Sequence, residues 1–152
     1  MHKPISETEF ISGLLRDCRL AVLATEGNGQ PHASLIAITP VDGFRQIIFA
    51  TYRNTRKFQN LEHNGKAAVL IQAEDKDSSG RTSIVALTAY GHAAEVGISE
   101  QEDVVRDHIG RHPDLANLMR SVDFALFRIH VDAYQIVRGI DDVTWLNVED
   151  AG

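Results

Sequence analysis

The amino-acid sequence predicts an α+β fold in which short antiparallel strands close, or nearly close, into a small barrel with helices set between them. Three observations carry this. Apolar runs follow one another with turn residues between them, in hairpin order, giving about six strands. Three helical stretches interrupt that series without the regular alternation of a parallel doubly wound sheet. At 152 residues the chain suits one domain, residues 1–152, large enough to bury a real core. Closing such strands into a barrel leaves the fewest unpaired edges.

The elements follow in order. Ser6 and Glu9 form a capping box, and Phe10, Leu14 and Leu15 recur at helical spacing, so a helix is expected over residues 7–17. The apolar run 19–25 reads as a buried strand. Glu26-Gly27-Asn28-Gly29 is a tight turn, because Asn and Gly tolerate positive φ. Pro31 then fits a strand start, with residues 32–39 following. Pro40-Val41-Asp42-Gly43 turns the chain into the strand 46–51, which completes an expected three-stranded antiparallel meander. A helix after Thr55 carries Phe58 and Leu61 on one face and ends near Asn64-Gly65. Residues 66–72 form the next strand, and the polar run 73–83 reads as a mobile loop. Residues 84–96 form a long strand with Gly91 as a bulge or a close backbone approach. Ser99 and Glu102 repeat the capping-box pattern before Val104, Val105 and Ile109, and His112-Pro113 breaks that helix ahead of Leu115, Leu118 and Met119. Two strands are expected at 124–131 and 133–140, with Trp145 and Leu146 in the C-terminal segment.

Composition narrows the function. A net charge of −6 argues against a nucleic-acid or membrane-surface binder, each of which needs a basic face. Cys18 is the single cysteine, so no internal disulfide can form; it reads as a buried apolar thiol, and a reducing compartment fits. No run is long and apolar enough to span a bilayer, and the N-terminal residues lack a signal-peptide core, so a cytoplasmic protein is expected.

The most informative stretch is Phe49-Ala50-Thr51-Tyr52-Arg53-Asn54-Thr55-Arg56-Lys57-Phe58-Gln59-Asn60-Leu61. Thr55 is placed to cap the helix that begins at Arg56. Cations normally avoid a helix N-terminus, where unpaired N–H groups and the macrodipole favour anions. Arg53, Arg56 and Lys57 crowd it nonetheless. The run reads either as a solvated basic turn or as the seat of a polyoxygen anion such as a phosphate monoester.

Taken as an ordered set, Leu23-Ala24-Thr25, Gly29-Gln30-Pro31-His32-Ala33-Ser34, the run 49–61, Lys66 to Ile71 and Tyr90-Gly91-His92-Ala93 resemble the pyridoxamine 5′-phosphate oxidase-like split-barrel flavoproteins. The resemblance covers residues 10–96, and the last third is similar to a branch containing heme-utilisation split-barrel proteins. It implies a six-stranded antiparallel split β-barrel with short flanking helices. It also implies a homodimer that holds two FMN molecules at the subunit interface, and an oxidoreductase acting on a small molecule. By this likeness Thr51, Arg53, Thr55, Arg56 and Lys57 correspond to the phosphate-binding turn. The strand bearing His32, Ala33, Ser34 and Leu35 lies along the isoalloxazine ring, with Ser34 as a polar contact. Gln72 is expected from the partner chain, and Trp145 as an aromatic near the cofactor. The likeness departs at Val85-Ala86-Leu87, where the vitamin B6 oxidases carry a glutamine, and after Ile140, where their substrate-phosphate residues have no counterpart. No side chain is assigned a catalytic acid or base role.

The same barrel could hold other cofactors. Heme would need an axial histidine, with His32, His63, His92 and His130 as candidates. A deazaflavin would use the same Thr-Arg-Lys turn. His108 and His112 have metal-compatible spacing, but Gly110 and Pro113 weaken the helix and no third ligand is evident, so no metal is expected. Gly27-Asn28-Gly29 lacks the third glycine of a dinucleotide fingerprint.

Overall fold

The computed structural model describes residues 5–76 and 78–151. The first four residues of the N-terminal segment and residue 77 of the polar run lie outside the described residues. The helices are α1 (Glu7–Asp17), α2 (Arg56–His63), α3 (Ile98–Arg111) and α4 (Ala116–Arg120). The strands are β1 (Leu20–Gly27), β2 (Gln30–Ala37), β3 (Thr39–Val41), β4 (Gln46–Tyr52), β5 (Lys66–Lys76), β6 (Thr82–Glu95), β7 (Phe124–Arg138) and β8 (Asp142–Asn147). All pairings are antiparallel, in the order β2-β1-β5-β6-β7-β4-β3, with β8 on β7. The fold is an α+β split barrel. Six strands make its wall, and the short β3 and β8 extend its edges. No helix among the described residues is long and apolar enough to cross a membrane.

Four expectations are corrected. The meander does not form: β1 and β2 are a hairpin, but β4 pairs with β7 and the short β3 rather than with β2. The run 73–83 is largely strand, since the β5–β6 ladder continues to Lys76↔Thr82. The strand survives in a polar, largely exposed sequence because the hairpin satisfies its backbone groups. The two C-terminal strands are one, β7, bent where the register shifts opposite Tyr90 and Gly91, and Trp145 and Leu146 belong to a strand of their own. The second capping box is not used: Gly97 is the N-cap of α3, without a side-chain bond. By contrast, Ser6 Oγ does accept from the Glu9 N–H at 3.2 Å, and α1 has the expected bounds.

Burial explains the layering. Leu23, Phe49, Val69, Leu87, Phe127, Ile129 and Ile136 alternate inward along their strands and meet Ile11 and Leu15 of α1 and Phe58 and Leu61 of α2. Burying each such side chain stabilises the fold by about 1.5–3 kcal/mol. Ile48 and Leu126 point the other way and pack beneath Val104, Val105, Ile109 and Met119 of α3 and α4. Strands β4 and β7 therefore carry continuous apolar runs because both of their faces are covered. The split lies between β2 and β4, which approach each other without a hydrogen-bonded ladder. Helix α2 starts directly after β4, at that opening.

Candidate functional site

The site is built at the split. Thr51, only 3% exposed at the end of β4, and Thr55, the N-cap of α2, bring their hydroxyls to 2.9 Å. Both also reach the Tyr52 carbonyl, at 3.1 and 2.9 Å, and Thr55 Oγ1 accepts the Phe58 N–H at 3.3 Å. Two hydroxyl hydrogens serve three contacts, so the pair can re-aim one of them toward a ligand. Lys57 lies on the first turn of α2 and lines, with Thr51, Thr55, Leu35, Ile36 and Ala37, a depression of about 220 Å³. Burial pushes the Lys57 ammonium below its ordinary pKa. Among the described residues it has no anionic partner, so a half-buried cation lines this depression.

That depression runs into a groove of about 700 Å³, which shares Leu35, Ile36, Ala37 and Leu115 with it and adds Arg19, Leu20, His112, Pro113 and Asp114. One wall is the free edge of β2. The other is the corner where α3 ends at His112 and the chain passes through the 3₁₀ turn Pro113–Leu115 into α4. The volume lies within the roughly 300–1,000 Å³ usual for small-molecule sites. A cavity of about 740 Å³ lies elsewhere, against α1; there Glu9, Asp17, Glu74 and Asp75 outnumber Arg16, so it does not suit an anion.

The other expected site residues are dispersed. Arg53 makes a bidentate pair with Glu95, at 3.1 and 2.7 Å, and its guanidinium lies over Phe58. Arg56, one residue before Lys57, opens instead onto a polar depression with Asn28, Gln59 and His63. His32 and Ser34 are half-buried on the side of β2 that carries the core residue Ile36, and Ser34 Oγ is buried with no hydrogen-bond partner. Ala33 and Leu35 face outward. Gln72 and Trp145 sit on the outer sheet face, Trp145 against Tyr90 at 5.5 Å between ring centroids. The wall formed by Ala50, Leu115 and Leu118 was not foreseen. Its only sequence signal is the Pro113 helix break, which does not say where the freed segment packs.

Asn60 fastens the α2 helix in place. It is 5% exposed and donates from Nδ2 to Thr25 Oγ1 at 3.0 Å. A Cβ on Gly27 would overlap its Oδ1 and displace the Asn60 side chain where the helix meets β1. No group of three or more His, Cys, Asp or Glu side chains that could hold a metal occurs among the described residues, and His108 and His112 are engaged otherwise. Their rings meet edge to face, with His108 Nδ1 2.7 Å from Thr39 Oγ1 and His112 Nε2 donating to the Ile38 carbonyl at 2.6 Å. Cys18 is half-buried, donates to the Leu20 carbonyl at 2.8 Å, and burial raises its pKa.

With this geometry in hand, the sequence matches the family model for pyridoxamine 5′-phosphate oxidase over residues 8–138. The chain belongs to that family. Its fold is shared by a heme binding protein from Mycobacterium smegmatis, with a TM-score of 0.84 at 19% identity over 97% of this chain and 60% of that one. A protein from Clostridium acetobutylicum related to general stress protein 26 aligns at a TM-score of 0.71 and 14% identity, over 97% of this chain and 100% of that one. A FAD-binding protein from Mesorhizobium loti aligns at 0.64 and 18%, over 87% and 92%. This chain therefore spans about three fifths of the mycobacterial protein's length. No curated protein sequence matches it.

Proposed function

We propose that this family member binds FMN in the split between β2 and β4 and serves as an oxidoreductase for a small molecule. The observation that carries the reading is Lys57, a half-buried cation without an anionic partner among the described residues, beside two hydroxyls at a helix N-terminus. Lys57, Thr51 and Thr55 would hold the phosphate, with Arg56 flanking it and Arg53 bracing the turn through Glu95. The β2 edge from His32 to Leu35, and on to Ala37, would lie along the ring. Ser34, the expected polar contact, has its Oγ buried on the inward side of β2 and lines neither cavity, so it is left out of this reading. Bound FMN would supply the redox chemistry; the chain binds it, orients it and excludes water.

A homodimer belongs to the same reading. The rows Leu35-Val22-Leu70-Thr88-Gln135-Trp145 and Ala33-Ala24-Ala68-Tyr90-Ala133-Asn147 run across the outer face of the sheet. Leu35, Leu70 and Trp145 are 65%, 43% and 57% exposed there, apolar side chains in rows that a second copy would cover. Packing on it would bring the partner's face, with its own Gln72 and Trp145 positions, toward the groove. A cytoplasmic location, with Cys18 kept reduced, completes the reading.

The similarity to a heme binding protein gives a second reading. It is less well supported here, because none of His32, His63, His92 and His130 lines the depression or the groove. His112 does line the groove, with Nε2 already committed to Ile38. A deazaflavin would fit the same phosphate turn and is distinguished by its spectrum. The test is Arg56→Ala with Lys57→Ala. The expected outcome is a loss of FMN affinity of about 100-fold or more, from two charge-assisted contacts of about 1.5–3 kcal/mol each, with an unchanged circular dichroism spectrum. Unchanged FMN affinity would sink the assignment.

A further inference from the structure

We infer that Arg111, at the C-terminus of α3, is a positioning residue that sets the width of the ring slot; the inference rests on the flavin reading of the groove. Arg111 lies outside both cavities, yet its guanidinium is the most heavily engaged on the chain's described surface. Nε donates to the Ile38 carbonyl at 3.0 Å. Nη2 lies at 3.0, 2.8 and 2.6 Å from the carbonyls of Leu15, Arg16 and Cys18. Those three carbonyls are the free end of α1 and the residue after it, acceptors left over when a helix stops. Ile38 is the residue between β2 and β3. Its carbonyl accepts from Arg111 Nε and also from His112 Nε2, which fills both lone pairs. Arg19 Nη2 returns a contact to the Arg111 carbonyl at 3.3 Å.

One planar fork thus joins three elements: the end of α1, the end of β2 and the end of α3. The next residues of α3's chain, His112 to Leu115, are the far wall of the groove, and the residues before Ile38, Leu35 to Ala37, are its near wall. The two walls have no ladder between them. Arg111 and His112 act on a single carbonyl, that of Ile38, directly after the near wall, and the Thr39–His108 contact joins the same two elements. A lysine could supply the charge but not a fork reaching four carbonyls, so charge alone does not account for an arginine here. The phosphate end of the site, at Thr51, Thr55 and Lys57, is fixed separately by the caps of α2 and by Asn60.

The separation gives a clean test with riboflavin, which has the ring and no phosphate, beside FMN. In Arg111→Met, and more weakly in Arg111→Lys, the Kd for riboflavin and for FMN should rise by the same factor, about tenfold. The absorption bands of the bound flavin should also shift toward those of free flavin. In Lys57→Ala the Kd for FMN alone should rise. Wild-type protein that binds neither flavin would overturn the flavin reading itself. Flavin binding by wild type that is unchanged in folded Arg111→Met, or a loss confined to FMN, would overturn the positioning role while leaving that reading intact. Should Arg111→Met not fold, Arg111→Lys decides: riboflavin affinity and band positions equal to wild type would contradict the proposal.

Discussion

At the scale of single residues, two kinds of position stand out: those whose polar groups lack a protein partner and those that the backbone leaves no room to change. Lys57 and Ser34 are the first kind, a half-buried cation without an anionic partner among the described residues and a buried hydroxyl without a hydrogen-bond partner. Gly91 is the second. The strand β6 shifts register there, and a Cβ at this position would run into the His130 carbonyl of β7. Because the obstacle is backbone in a paired strand, neither neighbour can swing aside. Gly91→Ala should destabilise the fold by about 3 kcal/mol, within the upper range for single substitutions. Thermal unfolding followed by circular dichroism would show this as a Tm lowered by roughly 6–12 °C. A change under one degree would mean that the bulge relaxes freely.

At the scale of elements, what could be read from sequence was what is local. Ser6 and Thr55 announce their helices because a cap and its first turn lie within four residues, and Asn64 ends α2 as expected. The basic turn from Thr51 to Lys57 was legible for the same reason. Pairing was not. Strand β4 joins β7 some 80 residues later (Phe49↔Phe127), and nothing in either apolar run names its partner over β2, which is nearer in sequence. The groove wall at Leu115 was hidden likewise, since its placement depends on contacts between α3, α1 and the β2–β3 corner. At that corner His108 is fully buried, with Nε2 unpartnered, and burial with the neighbouring His112 and Arg111 charges holds its pKa down from 6.5 to about 4. The imidazole is neutral in the folded chain, while the unfolded chain takes up a proton below pH 6.5. Stability should therefore be complete above that pH and fall as the pH drops toward 4, by up to about 3 kcal/mol. Urea melts at pH 7, 5.5 and 4.5 would show the fall, and His108→Asn should flatten it. An equally steep fall in His108→Asn would place the titration elsewhere.

At the scale of the whole molecule, the split barrel carries an apolar outer sheet face next to its opening, and the proposed cofactor would need both. The outer rows ending in Leu35 and Trp145 are contiguous with the groove through Leu35, so dimerisation and ring binding should fail together. Leu70→Lys, which is outside the groove but on the same face, should leave the protein monomeric in light scattering where wild type is the proposed dimer, and weaken FMN as well. A monomeric Leu70→Lys protein with full FMN affinity would show that one chain makes the site alone. The central claim is tested most directly by the visible absorption spectrum of the purified protein, followed by heat release and chromatography of the chromophore. A two-banded yellow spectrum that releases FMN is the predicted result. A Soret band, or a colourless protein that takes up no FMN on titration, would contradict the account.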